Sequence, residues 1–380
     1  MNSNLLILIL PLTCLWDFYL GEGGSGIRIF DVAAIAFYIW ASMLKLASVS
    51  YRFQTARADL LKKSSTLVLF CFIYGLIGMI TGNADLLRPV MGVWLGVLIF
   101  FSIVVNGALR IEKVFWIIDF CLLVLSFAII TQFLIFHIFG YLLNFQAVIG
   151  GEPRIFSSVF RPSGLFLEPS SHSITAFMLI ALRLHYKTLI DAVYLISIIG
   201  MIISFSVLGV LLAILLILYF SRSIKLSIVI CSILPFGGVL NVNEIEVIQH
   251  LIDRVLNLSE DNSTITRYSS ILDGRTMDAQ SLLGVGLTNN YHTFGTSGLA
   301  FLLSGFGILG TIFFILLIYS IFNSVSNSRI LLNPWKFMFS FGIVLLAAPI
   351  WTTMFMWVWL ALLIKFSAFD RGKMQIFIQS

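Results

Sequence analysis

The sequence predicts an all-α polytopic membrane protein of about twelve transmembrane helices with two large polar loops on the outer side. Three observations predict it. Hydrophobic residues make up 59% of the 380 and charged residues 11%, against roughly a quarter charged in soluble domains, and the mean hydropathy is +1.02. Apolar runs recur along nearly the whole chain, separated by short charged connections. The basic residues are distributed unequally between alternate connections, as the positive-inside rule requires of a multi-span chain. The net charge of +5 does not point to nucleic acid, because these residues are scattered rather than gathered on one face.

The opening MNSNLLILILPLTCLWDFYL has the apolar centre of a signal peptide but neither a basic start nor a small-x-small cleavage site, so it is expected to remain as the first span. Further runs at roughly 28–48, 65–82, 86–106 and 114–140 complete an N-terminal transmembrane region, 1–140. A first outer loop follows over 141–171. Central spans lie in 172–241, at roughly 172–187, 189–204, 206–221 and 226–241, where one apolar stretch near 190–220 has to be cut into two helices. A second, partly helical outer loop covers 242–296. The C-terminal region, 297–380, carries runs at roughly 297–322, 337–350 and 353–367 and ends in a cytoplasmic tail.

With both termini inside, sixteen of the 23 basic residues fall on the inner side, Lys62, Lys63, Arg183 and Lys187 among them, and every lysine is included. The seven outer ones, Arg28, Arg88, Arg154, Arg161, Arg254, Arg267 and Arg275, are all arginine. Arginine pairs bidentately with phosphate and carboxylate, where lysine offers a mobile point charge. Asp17, Asp31, Asp119 and Asp191 lie toward span ends, which leaves the span interiors nearly uncharged. Cys14, Cys71, Cys121 and Cys231 sit singly in apolar runs with no CxxC spacing, which excludes a disulfide framework or zinc site.

The first loop contains RIFSSVFRPSGLFLEPSSHSITAF, residues 154–177. Pro162 and Pro169 restrict their own φ and that of the residue before them, so Arg161 to Pro169 is expected to be a rigid turn. A helix is expected to restart at Ser170 or Ser171, capped by one of those serines, with its N-terminus and an arginine available to a phosphate oxygen. The second loop begins with EIEVIQHLIDRVLNL, whose Ile245, Ile248, Ile252 and Val255 share one helical face and suit a helix lying on the membrane boundary. Arg267 and Arg275 follow, and then a glycine-rich LLGVGLTNNYHTFGTSG that carries Tyr291 and His292.

RPSGLFLEPSSHS after a long apolar run, then LIDRV, STITRYSSILDGR and GVGLTNNYHTFGTSGLAFLLSGFGILG, resemble the O-antigen polymerase and ligase superfamily over roughly residues 150–315. The resemblance implies a GT-C-like membrane glycosyltransferase of the bacterial inner membrane, with both loops and the active site facing the periplasm. Its substrate would be an undecaprenyl-diphosphate-linked oligosaccharide, and its partners membrane lipid and a chain-length regulator and flippase of the same pathway. Arg161 matches the arginine of the family's first loop, Arg267 that of the second, and His292 the histidine before the next span. Glu168 stands at a position that varies among members, and Arg275 has no counterpart.

The chemistry of such a transfer agrees with these residue types. A departing diphosphate needs cationic donors, for which Arg161, Arg267, Arg275 and Arg154 are the candidates. No acidic pair or histidine cluster in the outer loops offers a metal site, so no metal or other cofactor is expected. The acceptor hydroxyl must lose a proton, to His292 or to a partly buried Glu168; Tyr291, or Trp351, is a platform for a sugar. Plainer roles stand beside these. Arg154 and Arg161 suit pairing with Glu152 or lipid phosphate, Arg275 suits a solvated loop charge, and Glu168 suits locking the turn against Arg161. His137 and His172 read as helix-capping or interfacial histidines. A polymerase that extends the lipid-linked chain is preferred to a ligase that moves the chain onto lipid A core; a transporter of lipid-linked glycans and a non-catalytic scaffold are the alternatives from other classes.

Overall fold

A computed structural model describes residues 9–15, 19–20, 27–28, 32–33, 35–36, 58–81, 87–105, 111–145, 155–156, 159–186, 191–217, 282–284, 298–326, 334–348 and 350–367. This part is mostly helical. Its helices are α1 (Ile9–Cys14), α2 (Ala58–Thr81), α3 (Leu87–Val105), α4 (Ile111–Phe139), α5 (Pro169–Tyr186), α6 (Ala192–Ile203), α7 (Val207–Leu215), α8 (Gly298–Ser326), α9 (Pro334–Ala347) and α10 (Met354–Ser367). Two antiparallel hairpins of two-residue strands accompany them: β1 (Tyr19–Leu20) with β2 (Ile27–Arg28), and β3 (Ile155–Phe156) with β4 (Val159–Phe160). The expected first span is helical over Ile9–Cys14 and already a strand at Tyr19. Segments Glu112–Phe139 and Gly298–Asn323 are long and apolar enough to cross a membrane. The run expected at 226–241 lies outside the described residues.

The chain divides into two compact units. The first comprises Met1–Thr13, Ala33–Ile111 and Asn262–Ser380. At its centre is α10, apolar on every face and buried from Met354 to Ile364, as a helix without a polar face must be. Gly96 of α3 lets Trp357 lie directly on the backbone, since a Cβ there would stand 2.3 Å from the indole Cδ1. Trp357 Nε1 donates to the Trp351 carbonyl (3.0 Å), and Trp351 Nε1 donates to the Gly298 carbonyl (3.4 Å). Both buried indoles are therefore satisfied. Trp351, expected as an outer sugar platform, is fully buried among Phe301, Phe306 and Phe314; it cannot stack on a glycan. Helix α8 is broken at Gly307 (φ 64°, ψ −178°), a conformation essentially open only to glycine. The backbone of Leu282–Gly284 lies against this break, so a Cβ on Gly307 would meet Gly284 N at 2.4 Å.

The second unit comprises Cys14–Val32 and Glu112–Asp261. Its central helix is α5, buried from Ser171 to Leu184 although it carries serines, a threonine, a histidine and an arginine. Part of that polarity is absorbed locally. Ser173 Oγ donates to the Pro169 carbonyl (3.1 Å) and Thr175 Oγ1 to the Ser171 carbonyl (2.9 Å). Arg183 is fully buried; its Nε donates to Asp119 Oδ1 of α4 (2.5 Å) and its Nη2 pairs with Asp191. Asp191 also caps α6, accepting from the Tyr194 amide (3.2 Å). Arg183 is thus not the inner-loop cation the sequence suggested. It joins three helices, because a buried guanidinium persists only where its fork meets carboxylates.

The apolar stretch near 190–220 is cut at Ser204–Ser206, between α6 and α7. Phe205 stands there with φ 48°, a left-handed conformation uncommon for a bulky residue. It is held by burial of its ring against Phe133, with Ile203, Ile130, Leu134 and Ile199 around it.

Candidate functional site

Among the described residues, the candidate site is the turn from Arg161 to Glu168 in the second unit, entered from the β3–β4 hairpin and left into α5. Local chemistry sets its path. Pro162, buried, restricts the backbone after Arg161. Gly164 adopts φ 62°, and the Phe166 amide closes the turn on the Ser163 carbonyl (3.2 Å). A Cβ on Gly164 would meet Ile129 Cβ of α4 at 3.4 Å. Phe166 is fully buried and anchors the turn from below.

The polar anchor is Gln132 of α4. It is buried; its Oε1 accepts from the Ser163 (3.1 Å) and Gly164 (2.8 Å) amides, and its Nε2 donates to the Leu143 carbonyl (3.1 Å). One side chain therefore ties both ends of the first loop to the end of α4. The sequence reading passed over Gln132; the available signal was a lone carboxamide in an otherwise apolar run, a residue type that membrane helices turn toward protein.

The helix after the turn starts at Pro169, not at the serines. Proline suits the first helical position because its missing N–H is unpaired there in any case. The Glu168 carbonyl accepts from the Ser171 (3.1 Å) and His172 (3.4 Å) amides, so Glu168 is the capping residue and the first loop ends there rather than at 171. Ser170 does not cap; its hydroxyl donates to Glu168 Oε2 (3.3 Å). Glu168 is exposed, not partly buried as expected. Its carboxylate already sits at the helix N-terminus, where negative charge is stabilised. A phosphate at that position would meet a like charge, whereas Arg161 at the other end of the turn carries the opposite one.

Arg161, half-buried, and Glu168 thus stand at opposite ends of one clamped turn. Arg154, Arg267, Arg275, Tyr291 and His292 lie outside the described residues. His172 differs from its expected capping or interfacial role. It is fully buried in the first turns of α5, with Phe166 edge-on at 5.9 Å between ring centroids.

Set against protein-family models, curated proteins and solved structures, the chain finds no match in any of the three.

Proposed function

We propose that this chain is an inner-membrane O-antigen polymerase, transferring a growing glycan from undecaprenyl diphosphate to a new lipid-linked repeat unit at the periplasmic face. The observation that carries this reading is the clamped turn. In a chain that is 59% hydrophobic, an arginine and an oriented carboxylate are presented at the two ends of one eight-residue turn whose backbone is fixed by a buried glutamine. Catalysis by positioning and charge stabilisation requires that kind of preorganisation.

In the proposed reaction the acceptor hydroxyl oxygen attacks the anomeric carbon of the donor chain. The carbon–oxygen bond to the diphosphate breaks, and undecaprenyl diphosphate leaves with its new charge held by Arg161 and Arg267, assisted by Arg154 and Arg275. The hydroxyl proton passes to His292 or to Glu168, which the Ser170 hydroxyl orients. Tyr291 supports a sugar ring. A single displacement inverts the anomeric centre, and the reaction is proposed to need no metal.

A second reading, transport of lipid-linked glycans, is favoured by one observation, the pairing of buried Arg183 with half-buried Asp119 and Asp191. Ionisable groups inside a membrane bundle commonly mark transport pathways. The experiment that separates the readings incubates purified protein with a synthetic undecaprenyl-diphosphate repeat unit in EDTA and resolves the products on a gel. A ladder of regular spacing is expected, and Arg161→Ala is expected to abolish it while the protein still inserts. Transfer only after lipid A core is added would make the protein a ligase, and no transfer to either acceptor would leave transport as the better reading. A normal ladder from Arg161→Ala would remove that residue from the site.

A further inference from the structure

We propose that the stretch Leu282–Gly284 re-enters the membrane and meets lipid hydrocarbon, seated in the break of helix α8. Its place in the fold is set by backbone contact within the first unit. Leu282 and Leu283 are helical and Gly284 is left-handed (φ 79°), the conformation with which a glycine ends a helix. A Cβ on Gly284 would stand 2.4 Å from both the Gly305 carbonyl oxygen and the Gly307 nitrogen, and one on Gly307 would stand 2.4 Å from the Gly284 nitrogen and the Leu282 carbonyl oxygen. Two glycines thus let main chain lie on main chain, each at a positive φ that a side chain would strain.

That seat lies at membrane depth. Segment Gly298–Asn323 has 26 residues and is apolar enough to cross; at 1.5 Å per residue it is about 39 Å long, against a hydrocarbon core of about 30 Å. Gly307 stands nine residues beyond Gly298, about 14 Å along the helix. Even with the whole excess of about 9 Å projecting at the Gly298 end, Gly307 is about 5 Å inside the hydrocarbon. Irregular backbone is tolerated at that depth only where protein covers it. The break supplies the cover, because the groups it brings together are the Gly305 carbonyl and Gly307 amide on one side and the Leu282 carbonyl and Gly284 amide on the other. The leucine side chains are not covered. Leu282 is 47% and Leu283 60% exposed, and Ile308, Leu309 and Ile312, which follow the break on α8, are exposed as well. Exposed apolar side chains at that depth suit acyl chains and offer nothing to an aqueous ligand. The stretch 242–296, expected as one outer loop, therefore returns to the membrane at 282–284. The proposal rests on α8 crossing the membrane and not on the polymerase reading.

The test uses the full-length protein in lipid nanodiscs, in a Cys231→Ser background in which the other three cysteines are buried. A nitroxide is attached at Leu283→Cys, at Leu309→Cys on α8 and at Glu168→Cys, all exposed positions. Its collisions with oxygen, which concentrates in hydrocarbon, are compared with those with a nickel chelate, which stays in water. The oxygen-to-nickel ratio at Leu283→Cys is expected to match that at Leu309→Cys and to exceed that at Glu168→Cys several-fold. A water-like ratio at Leu283→Cys beside a lipid-like one at Leu309→Cys would overturn the re-entrant segment and leave α8 as a span. Water-like ratios at both would overturn the membrane reading of α8 and the proposal with it. Gly284→Val alters the segment and leaves α8 intact; it is expected to bring the ratio at Leu283→Cys down to that of Glu168→Cys without changing Leu309→Cys, and an unchanged ratio would overturn the break as the seat. If Leu283→Cys does not fold, Leu282→Cys takes its place with the same outcomes. A regular ladder from the unaltered protein together with a water-like Leu283→Cys would keep the polymerase reading and remove the re-entrant segment.

Discussion

At the scale of single residues, the sequence made charged side chains conspicuous and hid the neutral ones that hold them. Arg161 and Glu168 stood out because charge is scarce in this chain, and they do bound one turn. Gln132 did not stand out, because its value comes from amides 31 and 32 residues away, a pairing no local spacing encodes. Burial was misjudged for the same reason. Glu168 is exposed, whereas Trp351 and His172 are interior, since which face of a helix meets protein depends on neighbours supplied by other segments. The importance of Gln132 has a direct consequence. Gln132→Leu keeps nearly the same volume but removes the acceptor of the Ser163 and Gly164 amides, and each amide left unpaired costs about 1–3 kcal/mol when buried. The variant is expected to melt several degrees lower in detergent and, on the proposed function, to lose most polymer; an unchanged melting temperature would show that the turn does not depend on this clamp.

At the scale of elements, hydropathy placed helices α2 to α10 among the described residues, because burial and lipid exposure both demand apolar runs. Even the division near 205 falls within a residue or two of the expected place, since Ser204 and Ser206 interrupt an otherwise apolar stretch. The short hairpins and the way helices pack were not legible, because they depend on which side chains face each other. Two glycines show this. A Cβ on Gly96 would stand 2.3 Å from Trp357, and one on Gly75 would stand 2.2 Å from Trp94 Nε1. The distances are alike but the partners are not. Trp357 is fully buried and tethered by its hydrogen bond to Trp351, whereas Trp94 is half-buried, stacks on exposed Phe72, and its Nε1 has no hydrogen-bond partner among the described residues. Gly96→Ala is therefore expected to destabilise the α3–α10 packing by about 1–3 kcal/mol, the usual cost of overfilling an interior, and Gly75→Ala by clearly less. Thermal unfolding of the two variants side by side checks this, and the reverse order would show that tethering does not govern the strain.

At the scale of the whole molecule, the distribution of apolar surface bears on the solvent the protein occupies. On α4, Trp116, Phe120, Val124 and Phe127 are exposed along one stripe while Val114, Ile118, Leu122, Leu125 and Ile129 are buried. On α8, Ile308, Leu309, Ile312, Phe313 and Leu316 are likewise exposed. Helices apolar on both their inner and outer faces leave contiguous patches that a monomer in water does not sustain, and hydrocarbon is the solvent that suits them. On the proposed topology, the excess of basic residues on alternate connections puts the Arg161–Glu168 turn outside and the start of α2 inside. In a Cys231→Ser background the remaining thiols, Cys14, Cys71 and Cys121, are buried and in no disulfide, so an introduced cysteine reports its own position. Glu168→Cys in intact spheroplasts is expected to react with a membrane-impermeant maleimide, and Lys62→Cys, which is exposed at the start of α2, only after permeabilisation. The opposite pattern would put the turn in the cytoplasm, away from the periplasmic glycan, and the polymerase reading would fall with the topology even if every helix were correctly placed.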